Sequence, residues 1–99
     1  MLILKAVSLG ELHGYGVLRR IERITNASLE ITQGSLYPAL SRLESKGCIS
    51  AEWGERSNKR KAKFYTLTQD GHTRLEEETQ SWQRFADAVA VALDARPEV

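Results

Sequence analysis

Hydrophobic positions in this chain follow a helical period, then a period of two, then a helical period again. Residues 2–9 (Leu-Ile-Leu-Lys-Ala-Val-Ser-Leu) are apolar on most sides and predict a short, largely buried helix that stops near Gly10. Gly10-Glu-Leu-His-Gly14 reads as a connector. From about Tyr15 to Thr25, Leu18, Ile21 and Ile24 form an apolar stripe, while Arg19, Arg20, Glu22 and Arg23 lie elsewhere. Asn26 suits a left-handed stop, and Leu29-Glu-Ile31 is a short extended link.

Thr32 sits where its hydroxyl can cap a third helix over residues 33–46. Leu36, Leu40 and Leu43 give that helix one inward stripe, Pro38 falls in its first two turns, and Gly47 is the expected residue just past its end. The period then changes. Ile49, Ala51 and Trp53 alternate with Ser50, Glu52 and Gly54, which predicts a half-buried strand with the first set inward. Lys61 to Thr68 is the return strand, with Tyr65 and Leu67 inward and Phe64 on the other face. Thr68 caps a last helix, and Asp70 suits the positive end of its dipole. This helix is expected to run to about Arg96 and stop at Pro97. The predicted fold is mainly α (α+β): a winged helix-turn-helix with a two-stranded wing over residues 1–68, and a C-terminal dimerisation helix over 69–96 in the same compact unit.

Ninety-nine residues suffice for one domain with a modest core. The longest uncharged apolar stretch is Ala88-Val-Ala-Val-Ala-Leu93, far short of the roughly 20 residues that span a bilayer, so no membrane association is expected. Met1-Leu-Ile-Leu4 meets Lys5 without a basic leader or a small-residue cleavage site, so no signal peptide is expected and the location is read as cytoplasmic. Cys48 is the only cysteine, which rules out an intrachain disulfide and a cysteine metal cluster; it reads as a small buried apolar residue. No carboxylate pair, Cys/His cluster or nucleophile–base pattern occurs, so neither an enzyme, a cofactor nor a metal is expected.

The net charge of +1 hides an asymmetry. Residues 1–68 carry 11 Lys and Arg against 6 Asp and Glu, and residues 69–99 carry 3 against 7. A cationic body with an anionic tail suggests that the body meets a polyanion. On the third helix, burying the three leucines leaves Gly34, Pro38, Ser41 and Ser45 outward, flanked by Ser35, Tyr37 and Arg42. Such a surface can approach base edges and phosphates closely, although many amphipathic helices with small polar faces bind nothing. The wing strengthens the case. Arg56, Lys59, Arg60, Lys61 and Lys63 against Glu55 give a surplus of four positive charges in nine residues, with Ser57 and Asn58 at the turn. Cations this close repel one another unless an anion is near.

Leu2-Ile-Leu4, His13-Gly-Tyr15, Gly34-Ser-Leu-Tyr-Pro-Ala-Leu40, Arg42-Leu-Glu44, Gly47 and Phe64-Tyr-Thr-Leu-Thr68 followed by Gly71 together resemble the PadR family of bacterial transcriptional regulators. The likeness covers residues 2 to about 75, and the single C-terminal helix is similar to the short branch of that family. The resemblance implies a dimeric winged-helix repressor on a palindromic double-stranded operator. Gln33, Ser35, Tyr37, Pro38 and Arg42 would lie near DNA, with Arg56, Asn58, Lys59, Arg60, Lys61 and Lys63 on the wing. A winged helix that docks its basic wing on an acidic protein partner is the alternative.

The last helix argues for a homodimer independently. Leu75, Thr79, Trp82, Ala86, Val89 and Leu93 recur at spacings of a coiled-coil seam, with Phe85 beside them. Glu76-Glu-Glu78 is expected to face solvent. Some members of the family hold planar aromatic effectors between subunits, so the resemblance makes Trp82 and Phe85 candidate walls for a small aromatic effector. His13 is expected to cap or pack at its turn, and His72 to be solvated in a first helical turn.

Overall fold

Leu4, Val17, Ile21, Leu36, Leu40 and Ile49, drawn from three helices and one strand, are almost completely removed from water and form the centre of the molecule. The computed structural model describes residues 1–97. Its elements run α1 (Leu2–Ser8), β1 (Leu12–His13), α2 (Gly14–Ile24), α3 (Gln33–Ser45), β2 (Ile49–Glu55), β3 (Lys61–Leu67) and α4 (Gln69–Leu93). This is the α+β winged helix-turn-helix that the hydrophobic pattern predicts. Each fully buried aliphatic side chain stabilises it by about 1.5–3 kcal/mol relative to exposure.

Short-range chemistry fixes where the helices start. Nδ1 of His13 accepts from the amide of Gly16 at 3.0 Å, Oγ1 of Thr32 from Ser35 at 3.2 Å, and Oγ1 of Thr68 from Gly71 at 3.0 Å. Each cap satisfies an amide that the helix itself leaves unpaired, worth about 1 kcal/mol. Gly47, at φ +75°, closes α3 as expected. Asn26 closes α2 at φ 52°, and Ala27 follows at φ 58°, which costs a residue with a Cβ roughly 1–2 kcal/mol.

The sheet is antiparallel in the order β1-β3-β2. The connector over residues 10–14 therefore contains a third strand: Leu12 pairs with Tyr65 and His13 with Phe64. Two residues are too few to show an alternating pattern, so the sequence gives no sign of it. Ile49 and Tyr65 point inward as predicted, and Ala51 and Leu67 pack beside them. Trp53 departs from the expected inward set. It follows the phase of Ile49 and Ala51, but the hairpin has by then run past the core, and the indole is 70% exposed.

Helix α4 stops at Leu93, three residues short of the expected Arg96. Asp94 opposes the negative end of the dipole, and Pro97 disfavours the helical conformation at Arg96. The first turns of α4 lie on the body, where Leu75 packs against the core. Glu78, expected in solvent, is half-buried and bonds Nε of Arg74 at 2.9 Å and the Met1 ammonium at 3.1 Å. Burial alone would push its carboxyl up; these two cations instead hold it below the ordinary carboxylate range. Beyond Thr79 the helix leaves the body, and only Ala86 is shielded among residues 79–93. The described chain measures 67 × 27 × 21 Å, with a radius of gyration of 16.8 Å against about 13 Å for a compact chain of this length. None of the described helices is long and apolar enough to cross a membrane.

The junction of α4 with the sheet depends on a missing side chain. A Cβ at Gly71 would collide with the carbonyl oxygen of Cys48, while Thr68 donates its hydroxyl to the carbonyl of Gly47. Neither partner can yield, because both are backbone. Gly71→Ala should therefore lower stability by at least ~2 kcal/mol in urea unfolding, against the slight gain expected of alanine at an open helical site.

Candidate nucleic-acid interface

Helix α3 divides into a buried and a bare side. Leu36 and Leu40 are buried and Leu43 is half-buried, while Gln33, Gly34, Pro38, Ser41, Arg42 and Ser45 are exposed. The outer face is thus small and polar, as predicted. Its shallow hollow includes Pro38, Ser41, Arg42, Ser45 and Lys46. Lys46 was not among the expected contacts, although it lies one helical turn beyond Arg42 on the same side; the spacing of four was the signal. Ser35 is exposed, but its hydroxyl accepts from Oγ1 of Thr32 at 3.2 Å, which ties it to the cap.

Tyr37 has a structural duty. A Cβ on Gly14 would lie 2.7 Å from its ring, so the phenol rests directly on the start of α2 and sets the approach of the two helices. This contact joins the His13-Gly-Tyr15 and Gly34-Ser-Leu-Tyr37 segments, which are remote in sequence.

The wing turn is built by its own backbone. The amide of Arg56 donates to the carbonyl of Arg60 and that of Lys59 to the carbonyl of Arg56, each at 2.8 Å, with Lys59 at φ 64°. Oδ1 of Asn58 accepts from the amide of Arg60 at 3.1 Å. That oxygen, expected to face DNA, is spent on the turn. Lys59, Arg60 and Lys61 are exposed and make no ion pair among the described residues, whereas Arg56 is half-buried. Lys63 is not free: its Nζ lies 3.3 Å from Oε1 of Glu44 and braces the wing against α3. A pair separated by 19 residues leaves no periodic trace in the sequence.

Between the wing and the start of α2 and α3 lies a cleft of about 320 Å3. His13, Tyr37, Trp53, Arg56, Lys61 and Tyr65 are among its walls. Burial pushes the Tyr65 phenol up, with Lys63 opposing and Glu44 and Tyr37 adding. Burial, then the Arg56 guanidinium, hold the His13 imidazole below its ordinary value. Phe64 meets the same imidazole edge-on at 5.8 Å.

The seam residues of α4 separate into two groups. Leu75, expected at the dimer interface, belongs to its own chain's core. Trp82, Phe85, Val89 and Leu93 stand in solvent, the first two 55% and 60% exposed, and Ala86 is half-shielded. The rings of Trp82 and Phe85 lie 5.8 Å apart on one side of the helix. No group of three metal-ligating side chains converges among the described residues.

The model of the transcriptional regulator PadR-like family matches residues 3–77. A PadR-like transcriptional regulator from Bacillus cereus is 29% identical, covering 95% of this chain and 89% of that one, with a TM-score of 0.79. A PadR family transcription regulator from Clostridium difficile is 26% identical over 93% and 94% of the two chains, at 0.80. A transcriptional regulator from Clostridium thermocellum is 25% identical over 90% and 86%, at 0.81.

The cap on α2 carries a pH signature. Nδ1 of His13 can accept a bond from Gly16 only while it is unprotonated, so the folded state takes up this proton less readily than the unfolded chain. Its contribution is then complete above about pH 6.5 and is lost as pH falls from there through the lowered folded value. His13→Asn caps without titrating. Urea unfolding of the two proteins should give curves that diverge between about pH 7 and pH 5, the wild type losing more.

Proposed function

The chain belongs to the PadR-like family of transcriptional regulators, and from that premise we propose that it is a cytoplasmic, homodimeric, sequence-specific DNA-binding repressor relieved by a small-molecule effector. The family and its solved members are regulators rather than enzymes. The observation that supports the proposal is the pairing of two exposed elements. The bare face of α3 carries Pro38, Ser41, Arg42 and Ser45, the wing carries the unpaired cations Lys59, Arg60 and Lys61, and Lys63 on Glu44 braces one against the other.

On this reading α3 enters the major groove. Arg42 faces a guanine edge, Gln33 and Pro38 lie against the groove wall, and the hydroxyls of Ser35 and Tyr37 meet phosphate oxygens. Lys59, Arg60 and Lys61 neutralise the flanking backbone, with Arg56 at the base of the turn and Asn58 within it. Lys63 reaches a phosphate only by leaving Glu44. Two copies join along Trp82, Ala86, Val89 and Leu93 of α4, with Phe85 at the edge, which sets two recognition helices about 34 Å apart on an inverted repeat. A planar aromatic effector between Trp82 and Phe85 of the two copies would alter the angle between the heads and release DNA.

Binding to an inverted repeat upstream of the chain's own gene should weaken with salt at a log–log slope of roughly −0.9 per phosphate contact. Arg42→Ala should cost about 1–3 kcal/mol on the repeat and little on scrambled DNA. Lys59→Gln or Arg60→Gln should weaken both alike and shallow the slope by about 0.9. Equal affinity of the wild type for the repeat and a scrambled duplex would contradict the reading.

The dimer has its own test. Phe85→Glu places a charge on the exposed apolar face of α4, away from the core. Light scattering should show a dimer for the wild type and a monomer for the variant, with the melting of the body little changed; a monomeric wild type would refute the arrangement.

A further inference from the structure

Packing does not account for Trp53. Its register opposite Lys63 puts it on the face that carries Ile49, Ala51 and Tyr65 into the core, yet it lies beyond that core, mostly in water. A lone exposed apolar residue needs no explanation. This one has charged company. It lines the cleft together with Tyr37, with Arg56 beyond it on the hairpin and Lys61 and Lys63 on the neighbouring strand. None of the residues that line the cleft is acidic, Glu44 reaches it only through Lys63, and the nearest other carboxylate, Glu55 opposite Lys61, lines the hollow on the far side of Trp53.

We propose that this cleft seats one sugar-phosphate strand of duplex DNA, with the Trp53 indole packed on deoxyribose and Lys61 and Arg56, both toward the hairpin tip, on the phosphate next to it. The inference rests on the DNA-binding reading above and adds an uncharged contact to it. A DNA strand alternates anionic phosphate with a sugar whose exposed edge is largely C–H. A flat indole followed, toward the tip, by the cations Lys61 and Arg56 matches one step of that alternation along the wing. The indole gains from leaving water against the sugar, and expelling water strengthens the flanking ion pairs. The contact reads no base, so it raises affinity on every sequence. Because Trp53 carries no charge, it displaces no counterions.

The test uses the full chain labelled with 5-fluorotryptophan, whose two resonances, Trp53 and Trp82, are assigned with Trp53→Phe. Adding a random-sequence duplex at low salt should shift and broaden the Trp53 resonance. Trp53→Ala should weaken that duplex and the inverted repeat by the same factor, roughly tenfold, with an unchanged salt slope. Trp53→Phe should recover most of the loss. Since the side chain lies outside the core, circular dichroism should show both variants folded. An unmoved Trp53 resonance together with wild-type affinity in Trp53→Ala would overturn the proposal and leave the DNA-binding reading intact. A wild-type chain that binds neither duplex would instead refute that reading, and this inference with it.

Discussion

The ring of Tyr37 rests on Gly14 so closely that a single methyl there would sit 2.7 Å from it, and the carbonyl of Cys48 occupies the space a side chain at Gly71 would need. These two close approaches set how α3 meets α2 and how α4 meets the sheet. The first sets how closely α3 approaches the start of α2, while burial of Leu36 and Leu40 decides which side of α3 stays bare. The second presses the start of α4 on the sheet and so decides the direction in which the rest of that helix leaves the body. Substituting Gly71 forces backbone to move, which close-packed interiors resist, whereas substituting Gly14 displaces the half-exposed Tyr37 ring. The two contacts also account for the glycines in the His13-Gly-Tyr15 and Tyr65-Thr-Leu-Thr-Gln-Asp-Gly71 segments.

Given those anchors, strand β3 joins stability to function. One end of it, at Tyr65 and Leu67, closes the core, while the other carries Lys61 and Lys63 into the wing. Little apolar burial supports the outer part of the hairpin. Its turn rests on backbone hydrogen bonds, on Asn58 and on a lysine in a left-handed conformation. Such a segment is cheap to deform, which would suit the proposed contact with a DNA backbone of varying shape. The Lys63–Glu44 pair limits that freedom by tying the wing to α3. Partly exposed, it contributes modestly to stability and acts chiefly on orientation.

Much of this was legible from the chain. The leucine spacing of α3, the Thr32 and Thr68 caps, the Gly47 stop and the alternation in β2 and β3 are local patterns, and local patterns survive folding. What was not legible is long-range or depends on where the core ends. Strand β1 is two residues whose partner lies some fifty positions away. The period at Trp53 assigns a face but cannot say that the core has already stopped. Leu75 fits a coiled-coil register equally well whether it meets a second copy or its own body, and the fold uses it for the body. Likewise charge counting cannot separate Lys63, which has a carboxylate partner, from Lys59, Arg60 and Lys61, which have none. The sequence therefore marks the candidate interface as a region, and only distances separate the cations within it.

In the proposed complex, two copies of α3 and its wing address successive turns of one face of DNA, at a separation fixed by α4. Hydroxyl-radical footprinting on the inverted repeat upstream of the gene tests this directly, because it reports which sugars are covered. Two protected patches on the same face, about one helical turn apart and placed symmetrically about the repeat's centre, are the predicted result. A single unpaired patch, or protection that ignores the repeat, would contradict it.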